Sequence, residues 1–218
     1  MMNDANSEGK GRVRLFSKTR LPMEAGDFEV MVYRSEPDGV ESIVIAKGLE
    51  DDWGDDLDVF VRVHSECFTG EVLGSLKCDC KFQLQNALDE IARLGRGLVI
   101  YLRQEGRGIG LGNKIRAYDL QDREGMDTVE ANHALGFPND MRDFWCAAEI
   151  LLSLGIKKVR LNTNNPDKIQ GLEKYGLKVS GLVPSLASMN KHNAGYMKTK
   201  FSKLGHTLSP LFSSETTQ

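Results

Sequence analysis

Apolar positions along the chain recur with two different periods, one typical of strands and the other typical of helices. Residues 28–34 and 42–47 are short apolar runs that favour strands. Residues 58–64 alternate, which places valines on one predicted face and Arg62 and His64 on the other. These segments predict that strands dominate the first part of the chain.

Helical spacing of apolar residues begins just after this region. Phe82, Leu88 and Ile91 predict a helix over 81–94, for which Gly95 is a natural stop. Further strands are predicted at 97–102, 157–162 and 177–183, and further helices at about 113–123, 141–154 and 166–175. Strands that alternate with helices predict an α/β fold, a mixed sheet with flanking helices and a small N-terminal antiparallel β lobe.

Length and composition fit one domain that carries little net charge. The chain has 218 residues and a formal net charge of −3, so we expect one domain over 13–206 between polar tails at 1–12 and 207–218. No overall basic field draws the protein to nucleic acid or to an anionic membrane. The chain shows no apolar signal-like stretch at its start and no run of membrane-spanning length. We therefore expect a cytoplasmic protein with neither nucleic acid nor membrane as a partner.

Three of the four cysteines lie close together. Cys67, Cys78 and Cys80 have the spacing Cys-x10-Cys-x-Cys, which in a reducing cytosol favours metal binding over disulfides. Zinc prefers thiolates, and three protein ligands leave a fourth position for a water whose pKa falls to roughly 7. A closed structural site with His64 or His133 as fourth ligand is an alternative, as is a metal-free set of buried cysteines.

A glycine-rich basic segment follows the strand predicted at 97–102. Over 103–114 glycines let backbone amides approach a ligand, and Arg103, Arg107 and Lys114 supply local positive charge. The glycines fit neither the phosphate loop nor the dinucleotide fingerprint. The segment is therefore a candidate anion site of no standard type.

Two predicted helix starts carry cations where anionic side chains are preferred. Asn165 is a predicted N-cap, followed by Lys168 in the first turn, and Asp140 is a predicted N-cap followed by Arg142. An anion bound at either helix start would offset the unfavourable placement of the cation. Together with the glycine-rich segment, these starts indicate a phosphate-bearing ligand.

Four stretches together resemble the GTP cyclohydrolase II family. They are RVHSECFTGEVLGSLKCDC at 62–80, RQEGRGIGLGNKIRAYDLQD at 103–122, DTVEANHALGF at 127–137 and LNTNNPDKI at 161–169. The resemblance covers about residues 20–206, and no matched position departs from the family pattern. It implies a catalytic domain over 13–206.

The resemblance also implies roles for individual residues. Cys67, Cys78 and Cys80 match the family's zinc ligands, and Asp140, Arg142 and Tyr118 match its catalytic residues. The positions that match GTP contacts are Arg62, Val63, His64, Ser65, Glu66, Gln83, Glu105, Gly106, Arg107, Thr128, Thr163 and Lys168. The family assigns Asp140 as proton acceptor and Arg142 as nucleophile. A guanidinium with a pKa above about 12 is a poor nucleophile, so an electrostatic clamp on the leaving pyrophosphate is an alternative role for Arg142.

The family reaction is the first step of riboflavin biosynthesis. GTP and water give formate, pyrophosphate and 2,5-diamino-6-ribosylamino-4(3H)-pyrimidinone 5′-phosphate. The resemblance implies one zinc per subunit, magnesium with the GTP triphosphate, and a homodimer. Two alternatives stay open: a nucleotide-binding relative that acts as a regulator, and one that stops at a partial reaction.

Overall fold

Seven strands form one sheet in the computed structural model, which describes residues 11–49, 58–185, 190–196 and 199. The strands are β1 (Val13–Met23), β2 (Gly26–Ser35), β3 (Glu41–Lys47), β4 (Val59–Ser65), β5 (Gly97–Leu102), β6 (Lys158–Asn162) and β7 (Lys178–Val183). Their spatial order is β1-β2-β3-β5-β4-β6-β7. The strands β1, β2, β3 and β5 pair antiparallel, whereas β5, β4, β6 and β7 pair parallel. The predicted mixed sheet is confirmed, and its N-terminal antiparallel strands extend that same sheet.

Helices connect or cover the described strands. They are α1 (Phe68–Glu71), α2 (Cys80–Leu94), the 3₁₀ turn (Glu105–Gly108), α3 (Gly110–Glu124), α4 (Thr128–Ala134), α5 (Trp145–Ser153) and α6 (Pro166–Glu173). Gly95 ends α2 in the left-handed conformation with φ 70°, which glycine adopts without steric cost. None of the described helices is both long and apolar enough to cross a membrane.

Strand β4 lies between two apolar layers, which confirms its predicted alternation. Val61 and its neighbouring valines pack with α5 residues such as Ile150 on one face of the sheet. Phe60 packs with Leu88 and Ile91 of α2 on the other face. Burying each such side chain contributes about 1.5–3 kcal/mol. These two layers fix the direction in which the last residues of β4 project.

Some predicted details differ from the structure. Phe82 belongs to the apolar spacing that predicts α2 but is 41% exposed, because at 3.6 residues per turn it lies on the side of the helix away from Leu88 and Ile91, which pack against the sheet. The helix predicted from about 141 begins at Trp145, and its N-cap position is Phe144. Asp140 is therefore not a helix N-cap, and that prediction was wrong. Strand β1 was not predicted.

The two predicted tails fall almost wholly outside the described residues. Only Gly11 and Arg12 of the N-terminal tail are described, and the C-terminal tail is not. The domain limits at 13 and 206 therefore stay predictions.

Candidate active site

A cavity opens where the parallel strands β4, β5 and β6 end. The carboxyl ends of parallel strands meet at one edge of a sheet, where α/β proteins commonly bind ligands. Most of the residues predicted from the sequence line this cavity: Arg62, His64, Ser65, Glu66, Cys67, Cys78, Cys80, Gln83, Glu105, Gly106, Arg107, Tyr118, Thr128, Arg142, Thr163 and Lys168. Two predicted residues do not line it. The side chain of Val63 packs in the core, and Asp140 contacts the cavity residue Arg142.

The cysteine cluster has dimensions that suit a metal ion. The sulfur atoms of Cys67, Cys78 and Cys80 all lie within 4.8 Å of one another, and those of Cys67 and Cys78 are 3.5 Å apart. Thiolates at about 2.3 Å from a tetrahedral zinc lie about 3.8 Å apart. Gly70 makes room for them, since an added Cβ would lie 2.7 Å from the Cys78 sulfur. The donor set and its spacing therefore fit zinc.

Two neighbouring thiols and a nearby ammonium group favour the thiolate form of Cys67. Hydrogen bonds from the thiols of Cys78 and Cys80 hold the pKa of Cys67 well below its usual range, and the charge of Lys114 lowers it further. The Lys114 ammonium lies 3.1 Å from the Cys67 sulfur. Within the described part of the chain the cluster contains cysteines alone, and His64 instead contacts Glu71. The closed site with His64 as fourth ligand does not match this geometry.

The turn between β5 and α3 has an unusual backbone. Arg107 has φ 61° although it is not glycine, and Gly106 has φ 62°. A non-glycine residue in this region costs about 1–3 kcal/mol and is typical of functional sites. The carboxylate of Glu105 holds the turn by accepting from the Phe68 amide at 2.6 Å and the Lys114 ammonium at 2.7 Å. One guanidinium nitrogen of Arg107 is buried without a hydrogen-bond partner among the described residues.

Two buried cations lie beneath the cavity. Arg62 is 4% exposed and Lys168 is 6% exposed. Burial lowers the pKa of Arg62 to about 10, so it keeps its charge at neutral pH. Its guanidinium donates to Gln83 Oε1 at 2.5 Å and to Ser185 Oγ at 2.8 Å. The two buried cations create a positive field in the cavity, which favours an anionic ligand.

The ammonium group of Lys168 lies away from the start of the helix that carries it. Asn165 caps α6 as predicted, with its side chain accepting from the Asp167 amide at 3.0 Å. The Lys168 ammonium instead extends to the carbonyl of Val63 at the end of β4, 2.6 Å away. It thereby brings its charge into the cavity wall, away from the helix terminus.

Arg142 and Asp140 form a tight ion pair at the cavity edge. Arg142 Nε lies 2.9 Å from one Asp140 carboxylate oxygen, and a terminal nitrogen lies 2.5 Å from the other. Burial opposes the charge of both groups, but their mutual attraction and hydrogen bonds raise the pKa of Arg142 and lower that of Asp140. A second terminal nitrogen of Arg142 reaches Ser65 Oγ at 3.3 Å. Arg142 is therefore held as a cation.

Tyr118 lies in the same cavity on α3. Burial raises its pKa well above the usual value, although the charge of Lys114 works against this shift. The phenol is therefore protonated at neutral pH and can donate a hydrogen bond. The ammonium groups of Lys77 and Lys114 lie 5.1 Å and 5.8 Å from the ring centre, a cation–π arrangement that fixes the ring.

Sequence reasoning missed several cavity residues. Gln121 is one of them: it follows Lys114 and Tyr118, both named from the sequence, at helical spacing along α3, and all three line the cavity. The same spacing could have identified Gln121 from the sequence. Asn132 and Tyr196 also line the cavity, and no local pattern marks them.

The fold and the cavity define an α/β protein with a basic cavity beside three cysteines that could hold a metal ion. A sequence profile for GTP cyclohydrolase II matches residues 14–184. The chain belongs to the GTP cyclohydrolase II family.

Curated relatives agree with this assignment. The chain is 53% identical to the riboflavin biosynthesis protein RibBA of Synechocystis over 86% of this chain and 34% of that protein. It is 52% identical to RibBA of Bacillus subtilis over 86% of this chain and 46% of that protein. It is 49% identical to the monofunctional riboflavin biosynthesis protein RIBA 3 of Arabidopsis thaliana over 89% of this chain and 38% of that protein. The chain therefore spans less than half the length of these relatives.

Proposed function

We propose that this chain is a zinc-dependent GTP cyclohydrolase II. It converts GTP to 2,5-diamino-6-ribosylamino-4(3H)-pyrimidinone 5′-phosphate, formate and pyrophosphate, the first step of riboflavin biosynthesis. The observation that carries the proposal is that three free thiols at zinc-ligand spacing and a set of buried cations line the same cavity. Family membership supplies the reaction.

Cys67, Cys78 and Cys80 would hold the zinc, one per subunit. Zinc in such a site supplies a Lewis acid that lowers the pKa of water to roughly 7, as hydrolysis of the guanine ring requires. Lys114 and Gly70 shape the site, the first by donating to the Cys67 sulfur and the second by leaving space for the Cys78 sulfur. Magnesium accompanies the triphosphate.

The cations hold the triphosphate in different ways. The terminal guanidinium nitrogens of Arg62 already donate hydrogen bonds to Asn162, Ser185 and Gln83. Arg62 therefore contributes positive charge to the cavity and orients the amide of Gln83. Each guanidinium has one buried nitrogen without a partner among the described residues, Nε in Arg62 and a terminal nitrogen in Arg107. Arg107 is the better direct ligand for a phosphate oxygen, because its unpartnered nitrogen is a terminal one. The remaining GTP contacts are proposed from the resemblance: Val63, His64, Ser65, Glu66, Glu105, Gly106, Thr128, Thr163 and Lys168.

Arg142 acts as an electrostatic clamp, with Asp140 as the proton acceptor beside it. A nucleophilic arginine must first lose a proton, yet Asp140 holds Arg142 as a cation through three side-chain hydrogen bonds of 2.9 Å, 3.1 Å and 2.5 Å. A clamp needs only the positive charge, which stabilises the leaving pyrophosphate. Water is then the attacking group at the α-phosphate.

Tyr118 assists ring opening as a neutral hydrogen-bond donor. Its raised pKa keeps the phenol protonated, and its helix also carries Lys114, which touches a proposed zinc ligand. The phenol can therefore donate to a nitrogen or oxygen of the guanine ring as the ring opens.

The catalytic domain is proposed over 13–206, as a cytoplasmic homodimer. The domain limits and the homodimer rest on the resemblance, and the cytoplasmic location rests on the clustered cysteines, which suit a reducing cytosol. Size-exclusion chromatography with light scattering checks the dimer.

The proposal is tested by incubating purified protein with GTP, zinc and magnesium and measuring formate and pyrophosphate separately. Cys78→Ser should lose zinc and formate release while retaining some pyrophosphate release. Cys146→Ser is the matched control, because Cys146 lies outside the cluster, with its sulfur 3.3 Å from Ser42 Oγ. A Cys78→Ser protein that keeps stoichiometric zinc and full formate yield would contradict the ligand assignment.

A further inference from the structure

A carboxylate outside the cavity lining joins two aromatic side chains at the end of the sheet. Glu71 Oε1 lies 2.6 Å from Nε2 of His64, and Tyr101 donates to Glu71 Oε2 at 2.6 Å. His64 and Tyr101 are direct partners in the parallel pairing of β4 with β5. Their rings stack with centres 5.6 Å apart and an angle of 21°. Only His64 of the three lines the cavity.

We propose that Glu71 is a positioning residue: with Tyr101, it fixes His64 in the tautomer that carries its hydrogen on Nε2, so that Nδ1 accepts a hydrogen bond from the bound guanine nucleotide. The inference rests on the proposed function for the identity of the nucleotide. It adds a role for Glu71 and Tyr101, which lie outside the cavity lining.

The hydrogen bonds determine the tautomer. An ionised carboxylate only accepts hydrogen bonds. The Tyr101 hydroxyl occupies Oε2 of Glu71, so the contact with Oε1 requires a hydrogen on Nε2 of His64. Burial, helped by the nearby charges of Arg62 and Lys168, lowers the pKa of His64 to about 4 against the opposing effect of Glu71. A neutral ring with hydrogen on Nε2 has a bare lone pair on Nδ1.

That lone pair has no partner in the part of the chain that the structure describes. Nδ1 of His64 is buried and makes no hydrogen bond within the described residues. Leaving a buried polar atom unsatisfied costs about 1–3 kcal/mol. Because the ring lines the cavity, a hydrogen-bond donor of the ligand can offset that cost. GTP carries such donors on its base and its ribose.

The position of Glu71 links this contact to the cysteine cluster. Helix α1 starts directly after Cys67 and ends at Glu71, and the Glu71 amide donates to the carbonyl of Cys67 at 2.9 Å. One helical turn therefore carries a proposed zinc ligand at its start and the histidine-orienting carboxylate at its end. The orientation of His64 and the placement of Cys67 depend on the same short element.

The tautomer is measured directly by nitrogen NMR of zinc-loaded protein labelled with ¹⁵N-histidine. The chain has 4 histidines, and the spectrum of His64→Gln assigns the His64 signals by their loss. Wild-type protein should show a protonated Nε2 and an unprotonated Nδ1. The Nδ1 signal should shift when a GTP analogue with a methylene bridge between the α- and β-phosphorus atoms is added. A hydrogen on Nδ1, or no shift on saturation, would overturn the proposal.

Variants of Glu71 separate positioning from packing. Glu71→Leu removes both acceptors, so we expect mixed tautomers and about 5- to 10-fold weaker binding of the analogue, the loss of roughly one oriented hydrogen bond. Glu71→Gln keeps an acceptor for Nε2–H and should restore most of the affinity. Glu90→Gln on the exposed face of α2, where Glu90 pairs with Arg93, is the matched control and should change neither signal. If Glu71→Leu and Glu71→Gln bound the GTP analogue with equal affinity, that result would contradict a role of Glu71 that acts through His64.

These readouts do not depend on turnover. Protein that binds the analogue through the expected tautomer but releases no formate would contradict the proposed function alone. Protein that releases formate but carries the hydrogen on Nδ1 would contradict this inference alone.

Discussion

Replacing Gly70 by alanine should weaken metal binding at the cysteine cluster without unfolding the domain. The added Cβ would lie 2.7 Å from the Cys78 sulfur and 3.2 Å from the Cys67 sulfur. Non-bonded heavy atoms prefer separations of about 3.5–4.0 Å. The Cys78 sulfur must therefore move by about 1 Å, whereas metal–ligand distances tolerate about 0.2 Å. We expect zinc affinity to fall at least about 10-fold, as for other changes next to metal ligands.

Stability should change much less than zinc affinity. Gly70 lies inside α1 without a left-handed φ, so alanine fits its backbone and gains about 1 kcal/mol of helix propensity. Overpacking against the sulfurs costs about 1–3 kcal/mol. With a chelator present, the free energy of unfolding should therefore differ from wild type by no more than about 2 kcal/mol.

Chelator competition measures the zinc affinity, and denaturant unfolding measures the stability. Gly181→Ala in β7 is the matched control, since the nearest atom to its added Cβ is Arg160 Cγ at an ordinary 3.8 Å. A Gly70→Ala protein with the zinc affinity of wild type would refute the reasoning.

Three further changes test the site. Tyr118→Phe should fold normally yet lose most formate release in the GTP assay, because the hydrogen-bond donor is gone; unchanged turnover would leave Tyr118 a packing residue. Arg142→Lys should keep part of the pyrophosphate release and Arg142→Ala much less, because a clamp needs the positive charge. A guanylyl adduct on Arg142 of the wild-type protein, seen by mass spectrometry after a basic quench, would contradict the clamp. The lowered pKa of His64 means that the unfolded chain takes up the proton first as pH falls. The free energy of unfolding should therefore drop by up to about 3 kcal/mol between pH 6.5 and 4, and His64→Gln should flatten that drop.

The order of strands and helices was predictable because burial leaves a period in the sequence. Strand β4 alternates between two apolar layers, and Gly95 marks the end of α2. Strand β1 left no such signal, because most of its residues are exposed and it has no buried face. The start of α5 was misplaced because Asp140 has the chemistry of an N-cap, yet its carboxylate binds the side chain of Arg142.

The site was partly predictable for a related reason. The spacing of Cys67, Cys78 and Cys80 is local, so the sequence alone indicates a metal site. The contact of Glu71 with Tyr101 joins residues 30 positions apart. It depends on the pairing of β4 with β5, which no local pattern specifies. The contact of Lys168 with the Val63 carbonyl likewise joins residues 105 positions apart, which no local pattern specifies.

The central claim is tested most directly with GTP that carries ¹³C at the carbon between the two imidazole nitrogens of guanine. Zinc- and magnesium-loaded protein should transfer this label to free formate, with one pyrophosphate released for each formate, as followed by carbon and phosphorus NMR in one sample. Label that remains in the purine or in a formylated product, or formate without pyrophosphate, would contradict the proposed reaction.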